Sequence, residues 1–545
     1  MNAFDRRSLF KLVGLGATAV AVPSLMSACS TGSVGDAGNL GKDLVPWPNY
    51  HPLAGPAADA PGDASGLQPL FKSYPQKLTQ SVNDKVGDGS DVSAVILTYG
   101  NPPTPAEQNK LWQELNKALG VNLKLTVVPA ADWGAKIATV TAGGDLPDIM
   151  MSNDIPRMAE FVQAQCADLS EFLSGDAVKA YPNLANLPSV TWQRMGRIGG
   201  KIYGIPVPRP VAGSGLIINR TAFDAVGAPE KFTRDEFLAA LKAVSGNGKW
   251  GAGTASEELI AYGASYYYAM SESAPNGWKV DGGKFTPTLA APEFKQALET
   301  FRKAVEQGSY HPDSLSIKSS DQTANWLNGT IAAKFLGFGG VNLDTATRIG
   351  NRFKWEFAFP YGNGKAWQSG GIFGFTVFKK APADRIKLLL RVVNYLAAPF
   401  GTKEYELTHY GIEGVHFTRD AAIGIKPTEL ALTKEKPLDL SVRYIADGPW
   451  PIFIPGFPDQ AQNLYDYTKA TLPTSLPDPS IGLRSASLGK NIGTLNKIVG
   501  DGIGAVAFGR KSLSEWDTVV SEWNKAGGAT AAEELAAEYA AAQAK

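Results

Sequence analysis

Cysteine and histidine are scarce. The 545 residues carry only Cys29, Cys166 and four histidines, too few to assemble a zinc or mixed Cys/His metal site. Net charge is missing too, since 52 Lys and Arg balance 52 Asp and Glu. With no basic stripe and no stacked-aromatic motif, nothing points to nucleic acid. No Walker or dinucleotide glycine loop occurs, and Gly362-Asn363-Gly364 lacks the flanking strand and helix such a loop needs. The G-x-S-x-G and H-E-x-x-H hydrolase motifs are also absent. What is plentiful is aromatic: 12 Trp, 18 Tyr and 24 Phe. A surplus over core needs can line a cleft for sugar rings, whose C–H faces pack on flat apolar rings. Hydrophobic content of 44% and charged content of 19% suit a soluble globular protein. Its length calls for two or more domains.

The N-terminus reads as an address. Arg6-Arg7 and Lys11 precede a short apolar run over 12–26, then Ser27-Ala28-Cys29. This is the order of a signal peptide, here 1–28, and the run is too short and too rich in Gly and Ala to span a membrane. The arginine pair resembles a twin-arginine signal, and Leu25-Met26-Ser27-Ala28-Cys29 resembles a lipobox. That resemblance implies a lipid on Cys29 and leaves Cys166 a lone, buried thiol. Residues 30–66 are rich in Gly, Ala, Pro and Asp and read as a flexible tether. The whole of 29–89 is expected to be anchor, tether and linker.

Beyond it, periodicity predicts a strand at 92–99, a helix to Leu119 stopped by Gly120, a strand at 121–128 and a helix over 132–142. Gly143-Gly144 ends that helix and Pro147 prevents its resumption before a third strand at Asp148-Ile149-Met150. Strand, helix, strand opens a doubly wound α/β domain. Thr233-Arg234-Asp235-Glu236 is a capping box at a helix start.

The order of five motifs resembles the family 1 extracellular solute-binding proteins, the carbohydrate-uptake branch related to maltodextrin-binding proteins. They are Gly144-Asp145-Leu146-Pro147-Asp148, Tyr203-Gly204-Ile205-Pro206 leading to Ile218-Asn219, and the Thr233 helix after Gly227-Ala228-Pro229. Asn328-Gly329-Thr330-Ile331-Ala332-Ala333 and Gly370-Gly371-Ile372 complete the set. Gly411-Ile412-Glu413-Gly414-Val415-His416 looks like the mark of the longer lipoprotein members. The resemblance implies a two-lobed periplasmic-binding-protein fold of type II, α/β in class. Lobe one would be 90–207 plus 362–445 and lobe two 213–357 plus 446–545. Hinge crossings fall near 207–213, 357–361 and 440–450. It also implies a monomer held outside the cytoplasm on the membrane by Cys29, which takes a sugar or oligosaccharide to ABC permease subunits. No cofactor is expected.

Candidate ligand contacts follow from position. Tyr99 and Asn101 follow the first strand. Asn153 and Asp154 follow the third, where ligands bind in open α/β sheets and where helix N-caps also sit. Arg209 lies in the first crossing, with a planar fork suited to sugar hydroxyls or a uronate carboxylate. Trp278, Phe338, Trp367 and Trp450 sit in irregular or glycine-rich stretches, as ring platforms or as core. Of Tyr266-Tyr267-Tyr268, whose side chains diverge, Tyr268 is carried forward. Glu413 would wall the cleft from Tyr410-Gly411-Ile412-Glu413-Gly414-Val415-His416, where the two glycines disfavour a helix and so a Glu-x-x-His metal or acid/base pair.

Two other functions remain open. A surface glycan-binding lipoprotein needs no permease, and a glycoside hydrolase needs two facing carboxylates, for which Asp148, Asp154 and Glu413 are the candidates. The longer members of the resembled family carry a calcium loop after the Thr233 helix. Here the loop reads Ser245-Gly246-Asn247-Gly248-Lys249-Trp250, without carboxylates, whereas calcium needs several hard oxygen ligands. Adding calcium is therefore expected to leave the melting temperature unchanged. A large upward shift in a thermal scan would contradict this.

Overall fold

The structure, a computed structural model, describes residues 38–543 apart from 100, 154, 156, 256, 257, 260–263, 342 and 421–423. These residues belong to one unit, 35–545. The expectations for the leader and for Cys29 lie outside the described residues. In chain order the strands are β1 (Asp91–Thr98), β2 (Asn122–Pro129), β3 (Ile149–Met151), β4 (Gly204–Pro208), β5 (Ser214–Asn219) and β6 (Trp250–Ala252). There follow β7 (Trp278–Asp281), β8 (Lys284–Pro287), β9 (Ile331–Gly337), β10 (Trp355–Ala358), β11 (Ile372–Phe378), β12 (Phe417–Asp420) and β13 (Gly424–Pro427).

Lobe one is built on the sheet β2-β1-β3-β11-β4. β1 pairs in parallel with both β2 and β3, while β11 runs antiparallel between β3 and β4. Interior β1 is apolar on both faces over Ala94–Leu97 and almost wholly buried, as a strand covered on both sides should be; β2 at the edge alternates. The helix Lys110–Leu119 turns Leu111, Trp112, Leu115 and Leu119 inward. Asn109 caps its start and left-handed Gly120 its end. The core also takes Leu388, Leu389, Val392 and Val393 from the helix Ala383–Leu396. Cys166 joins this core, and burial pushes its thiol up to about 12, so it is an inert packing residue.

Lobe two is built on the sheet β10-β5-β9-β6. β5 pairs antiparallel with β10 and β9, and β6 joins β9 in parallel. The helix Pro292–Glu306 packs Phe294, Leu298 and Phe301 into its core. The C-terminal helices Ala486–Ala507, Trp516–Trp523 and Ala529–Gln543 add Leu495, Ile503, Trp516 and Leu535 to the same core. The terminal helix is thus docked rather than frayed. No helix among the described residues is long and apolar enough to cross a membrane.

The chain passes between the lobes at 209–213, from β4 to β5, and again between Ala446 in the core of lobe one and Ile452 in that of lobe two. The middle passage differs from the expected 357–361. Ala366 and Trp367 still pack in lobe two, where the Trp367 indole donates to the Ala274 carbonyl at 2.9 Å. The chain therefore crosses at 368–371. The putty-like composition of 30–66 also misleads: residues 38–89 hold almost no regular structure, yet they lie along the body through backbone hydrogen bonds. Val45 N donates to Gly200 O at 2.9 Å and Thr79 N to Gly401 O at 3.0 Å. Gly and Pro report poor helix and strand formation, which leaves docking of an extended chain open.

The capping box is formed as expected, with Thr233 Oγ1 accepting from Glu236 N and the Glu236 carboxylate accepting from Thr233 N at 2.7 Å. Thr233→Ala is expected to lower stability by about 1 kcal/mol, read as a lower urea midpoint with unchanged slope.

Candidate functional site

The C-terminal ends of β1, β3 and β4 and the start of antiparallel β11 share one edge of lobe one. It includes the point where β1 separates strands that run on to either side, the usual ligand crevice of an open α/β sheet. Tyr99 leaves β1 there and is 63% exposed, its ring edge-on to Phe373 at 6.4 Å and to Tyr444 at 6.1 Å. Asn153 leaves β3 and lays its amide across β11, donating from Nδ2 to the Phe373 carbonyl at 2.9 Å. Gly374 makes this possible, since a Cβ there would lie 2.1 Å from Asn153 Oδ1. That oxygen is buried and has no hydrogen-bond partner among the described residues.

Beside this edge the first and third crossings meet. Arg209 N donates to Gly371 O at 2.9 Å, which also ties in the middle crossing. Its guanidinium lies 4.7 Å from the Trp450 ring centroid, 5.2 Å from Phe373 and 5.4 Å from Tyr444. These are cation–π distances. Arg209 Nη1 reaches Asp447 Oδ2 at 3.4 Å. The side chain of Asp447 has no exposure at all. It accepts the Trp450 indole N–H at 2.7 Å, and His409 Nε2 lies 3.2 Å from its other oxygen. His409 is stacked on Tyr405 at 3.7 Å. Arg443 stands 5.6 Å from both the Tyr444 and Trp450 rings. From lobe two, Gly339 faces the junction, where a Cβ would meet Trp450 Cη2 at 3.3 Å.

Of the residues singled out in the sequence, Tyr99, Asn153, Arg209 and Trp450 come together here. Asn101 is exposed just after β1, and Asp154 lies outside the described residues. The other aromatics do not join them. Tyr268 is core, stacked on Phe301 and sharing a hydrogen bond with Tyr310 at 3.2 Å; burial raises its phenol well above the ordinary value. Trp278 packs on Phe285 and Trp523 at the β7–β8 hairpin. Phe338 packs on Phe357 and Tyr467, and Trp367 edge-on to Tyr266. Large rings in a chain this long are mostly needed by its two cores. Glu413 is exposed and held by Arg419 at 3.1 Å. Sequence reasoning missed Phe373, Tyr444, Arg443, His409 and Asp447. Asp447 had one readable signal, an acid directly before Gly448-Pro449-Trp450 in an expected crossing.

His416 is a packed histidine. Its Nδ1 accepts from Ile412 N at 3.1 Å, and Nε2 faces Glu435, which also accepts from Lys110 N at 2.8 Å. Among the described residues no group of three or more His, Cys, Asp or Glu is placed to hold a metal ion.

Two α/β lobes facing each other across three crossings, with a polar–aromatic junction between them, define a two-lobed binding protein. The family model for bacterial extracellular solute-binding proteins matches residues 100–401, more than half of the chain, and the protein belongs to that family. Over 469 residues it is 27% identical to the polygalacturonan/rhamnogalacturonan-binding protein YtcQ of Bacillus subtilis strain 168, covering 82% of this chain and 91% of that one. It is 24% identical over 363 residues to lipoprotein LipO of the same organism, covering 62% and 69%. Among solved structures, the HMO-binding, ABC-transporter-associated solute-binding protein of Bifidobacterium longum infantis superposes with a TM-score of 0.60. It shares 16% identity, and the match covers 83% of this chain and 99% of that one.

Burial lowers the His416 pKa from 6.5, outweighing the opposing Glu435 hydrogen bond. The folded state then binds this proton less readily than the unfolded chain, so the contribution is present above about pH 6.5 and is lost as pH falls toward the folded value. His416→Gln is expected to flatten the fall of melting temperature below pH 6.5 and above the carboxylate range. An unchanged slope there would contradict it.

Proposed function

We propose that the protein captures an oligosaccharide between its lobes, outside the cytoplasmic membrane, and presents it to the permease subunits of an ABC importer. The observation that carries this reading is the junction of Tyr99, Phe373, Tyr444, Arg209 and Trp450 at the ligand edge of lobe one. Sugar rings present C–H faces to such aromatics and hydroxyls to polar atoms at their rim. Asn153 Oδ1 accepts a hydroxyl, Tyr99 offers an exposed ring, and Asn101 follows the end of β1. The relatives' names point the same way, since YtcQ is described as binding polygalacturonan and rhamnogalacturonan and the Bifidobacterium protein as HMO-binding.

Ligand held by both lobes favours the closed arrangement only while it is bound, so a permease can tell loaded protein from empty. Glycine and proline in the crossings, among them Pro210, Gly213, Gly370, Gly371, Gly448 and Pro449, suit backbone that absorbs hinge rotation. The twin-arginine-like leader would direct export and a lipid on Cys29 would hold the monomer at the membrane, in keeping with the lipoprotein LipO among its relatives. A hydrolase is disfavoured because two of its three candidate carboxylates are engaged elsewhere. Asp148 is bound by Arg385 at 2.9 Å and by Ser93, and these contacts outweigh burial to hold its carboxyl low. Glu413 is bound by Arg419.

Intrinsic tryptophan fluorescence of the mature protein, titrated with neutral and uronic-acid oligosaccharides, is expected to shift saturably with the sugar recovered intact. Tyr99→Ala should weaken that binding about tenfold, the worth of about 1.4 kcal/mol of ring contact. Release of reducing ends at catalytic rates, or no response to any sugar, would overturn the reading.

A further inference from the structure

Residues 59–71 run between two of the three crossings. Leu67 and Leu70 are buried in a lobe-two core with Ala212 of the first crossing and Ile452 and Ile454 just after the third. The Tyr465 hydroxyl donates to the Pro61 carbonyl at 2.9 Å. Gly66 has φ 102° and sits on Val211 of the first crossing, where a Cβ would come within 2.6 Å of Val211 Cγ2. Only glycine combines that backbone angle with that approach. Gln68 Nε2 donates to the backbone carbonyl of Trp450 at 2.9 Å. Ile452 N donates to Pro69 O at 2.8 Å, and Phe71 N donates to Ile452 O at 2.9 Å.

Both flanks belong to lobe one. Upstream, Asn49 N donates to Gly175 O at 3.0 Å and His51 N to Ala185 O at 2.8 Å. Downstream, Ser81 N and Val82 N donate to Glu404 Oε1 at 3.0 and 2.9 Å, and Tyr74 packs on Phe400. Between His51 and Ser81 the chain leaves lobe one, seats on lobe two and returns.

We propose that residues 59–71 are a strap that fastens the first crossing to the third, with Gln68 and Leu70 as positioning residues for Trp450. Two extra passages of backbone join the lobes, so rotation about the crossings must also be taken up on either side of the strap. The strap therefore narrows the range of interlobe arrangements in the empty protein. A narrower range lessens the ordering that ligand must impose, and affinity rises accordingly. The Trp450 part rests on the ligand reading above; the interlobe part does not.

Spin labels at K117C on the lobe-one helix and K497C on the Ala486–Ala507 helix report the interlobe distance, and buried Cys166 stays unlabelled. Without ligand, the mature chain is expected to give one narrow distance distribution. Q68A/L70A is expected to broaden it at least twofold. A protease site inserted between Ala64 and Ser65, in an exposed turn, and cut after folding should do the same, which decides the matter if the double variant does not fold. An unchanged width in the cut chain overturns the strap. Titration with a galacturonate oligomer is read separately. If the uncut chain binds it, cutting should weaken affinity several-fold, and unchanged affinity would overturn the positioning role. If the uncut chain binds no sugar, the ligand reading fails and the distances alone judge the strap.

Discussion

A carboxylate with no exposure to water needs donors, and Asp447 draws them from two crossings: the Trp450 indole and the Arg209 guanidinium both donate to Oδ2, while His409 Nε2 lies 3.2 Å from Oδ1. Burying a charge is costly unless it is paired and hydrogen-bonded. The need to satisfy this one group therefore fixes the first crossing against the third. It also sets where Arg209 and Trp450 stand, and so the shape of the floor between the lobes. Phe373 and Tyr444 then complete an aromatic box around a cation whose own charge is answered from behind.

The same arrangement explains why a fold so irregular in its crossings can be specific. None of the three crossings holds a strand among the described residues. Order comes instead from side chain to backbone bonds such as Arg194 to Ser369 O at 2.9 Å and Ser369 to Pro210 O at 2.6 Å. On one flank of the hinge, Arg484 donates to the Met195, Gly196 and Arg197 carbonyls of lobe one. Burial lowers its pKa to about 10, still well charged at neutral pH.

Much of the fold was legible because it rests on local rules. The strand–helix–strand opening, the left-handed Gly120 and the Thr233 box follow from periodicity and capping, which sequence displays directly. The crossings were harder: Trp367 precedes two glycines, a natural boundary, yet its indole finds a lobe-two carbonyl that nothing nearby in sequence announces. The candidate junction was legible where strand ends dictated it, at Tyr99 and Asn153, and at Arg209 and Trp450 of expected crossings. It was not legible for Phe373 and Tyr444, because whether a ring lines a cleft or a core depends on tertiary neighbours. Tyr268, Trp278 and Phe338 show the converse, being as aromatic as any ligand platform and wholly spent on packing. The N-terminal segment misled for a related reason. Its composition describes what the chain cannot form by itself, and its order comes from partners hundreds of residues away.

In the proposed function, the charge of Asp447 organises the floor that ligand meets. Calorimetric titration of Asp447→Asn with a sugar that the native protein binds tests it most directly, because asparagine keeps the shape and one acceptor oxygen but removes the charge. Without the charge Arg209 and Trp450 are held less firmly, so affinity is expected to fall about tenfold, about 1.4 kcal/mol, while circular dichroism stays native. A folded variant that binds with native affinity would contradict the account.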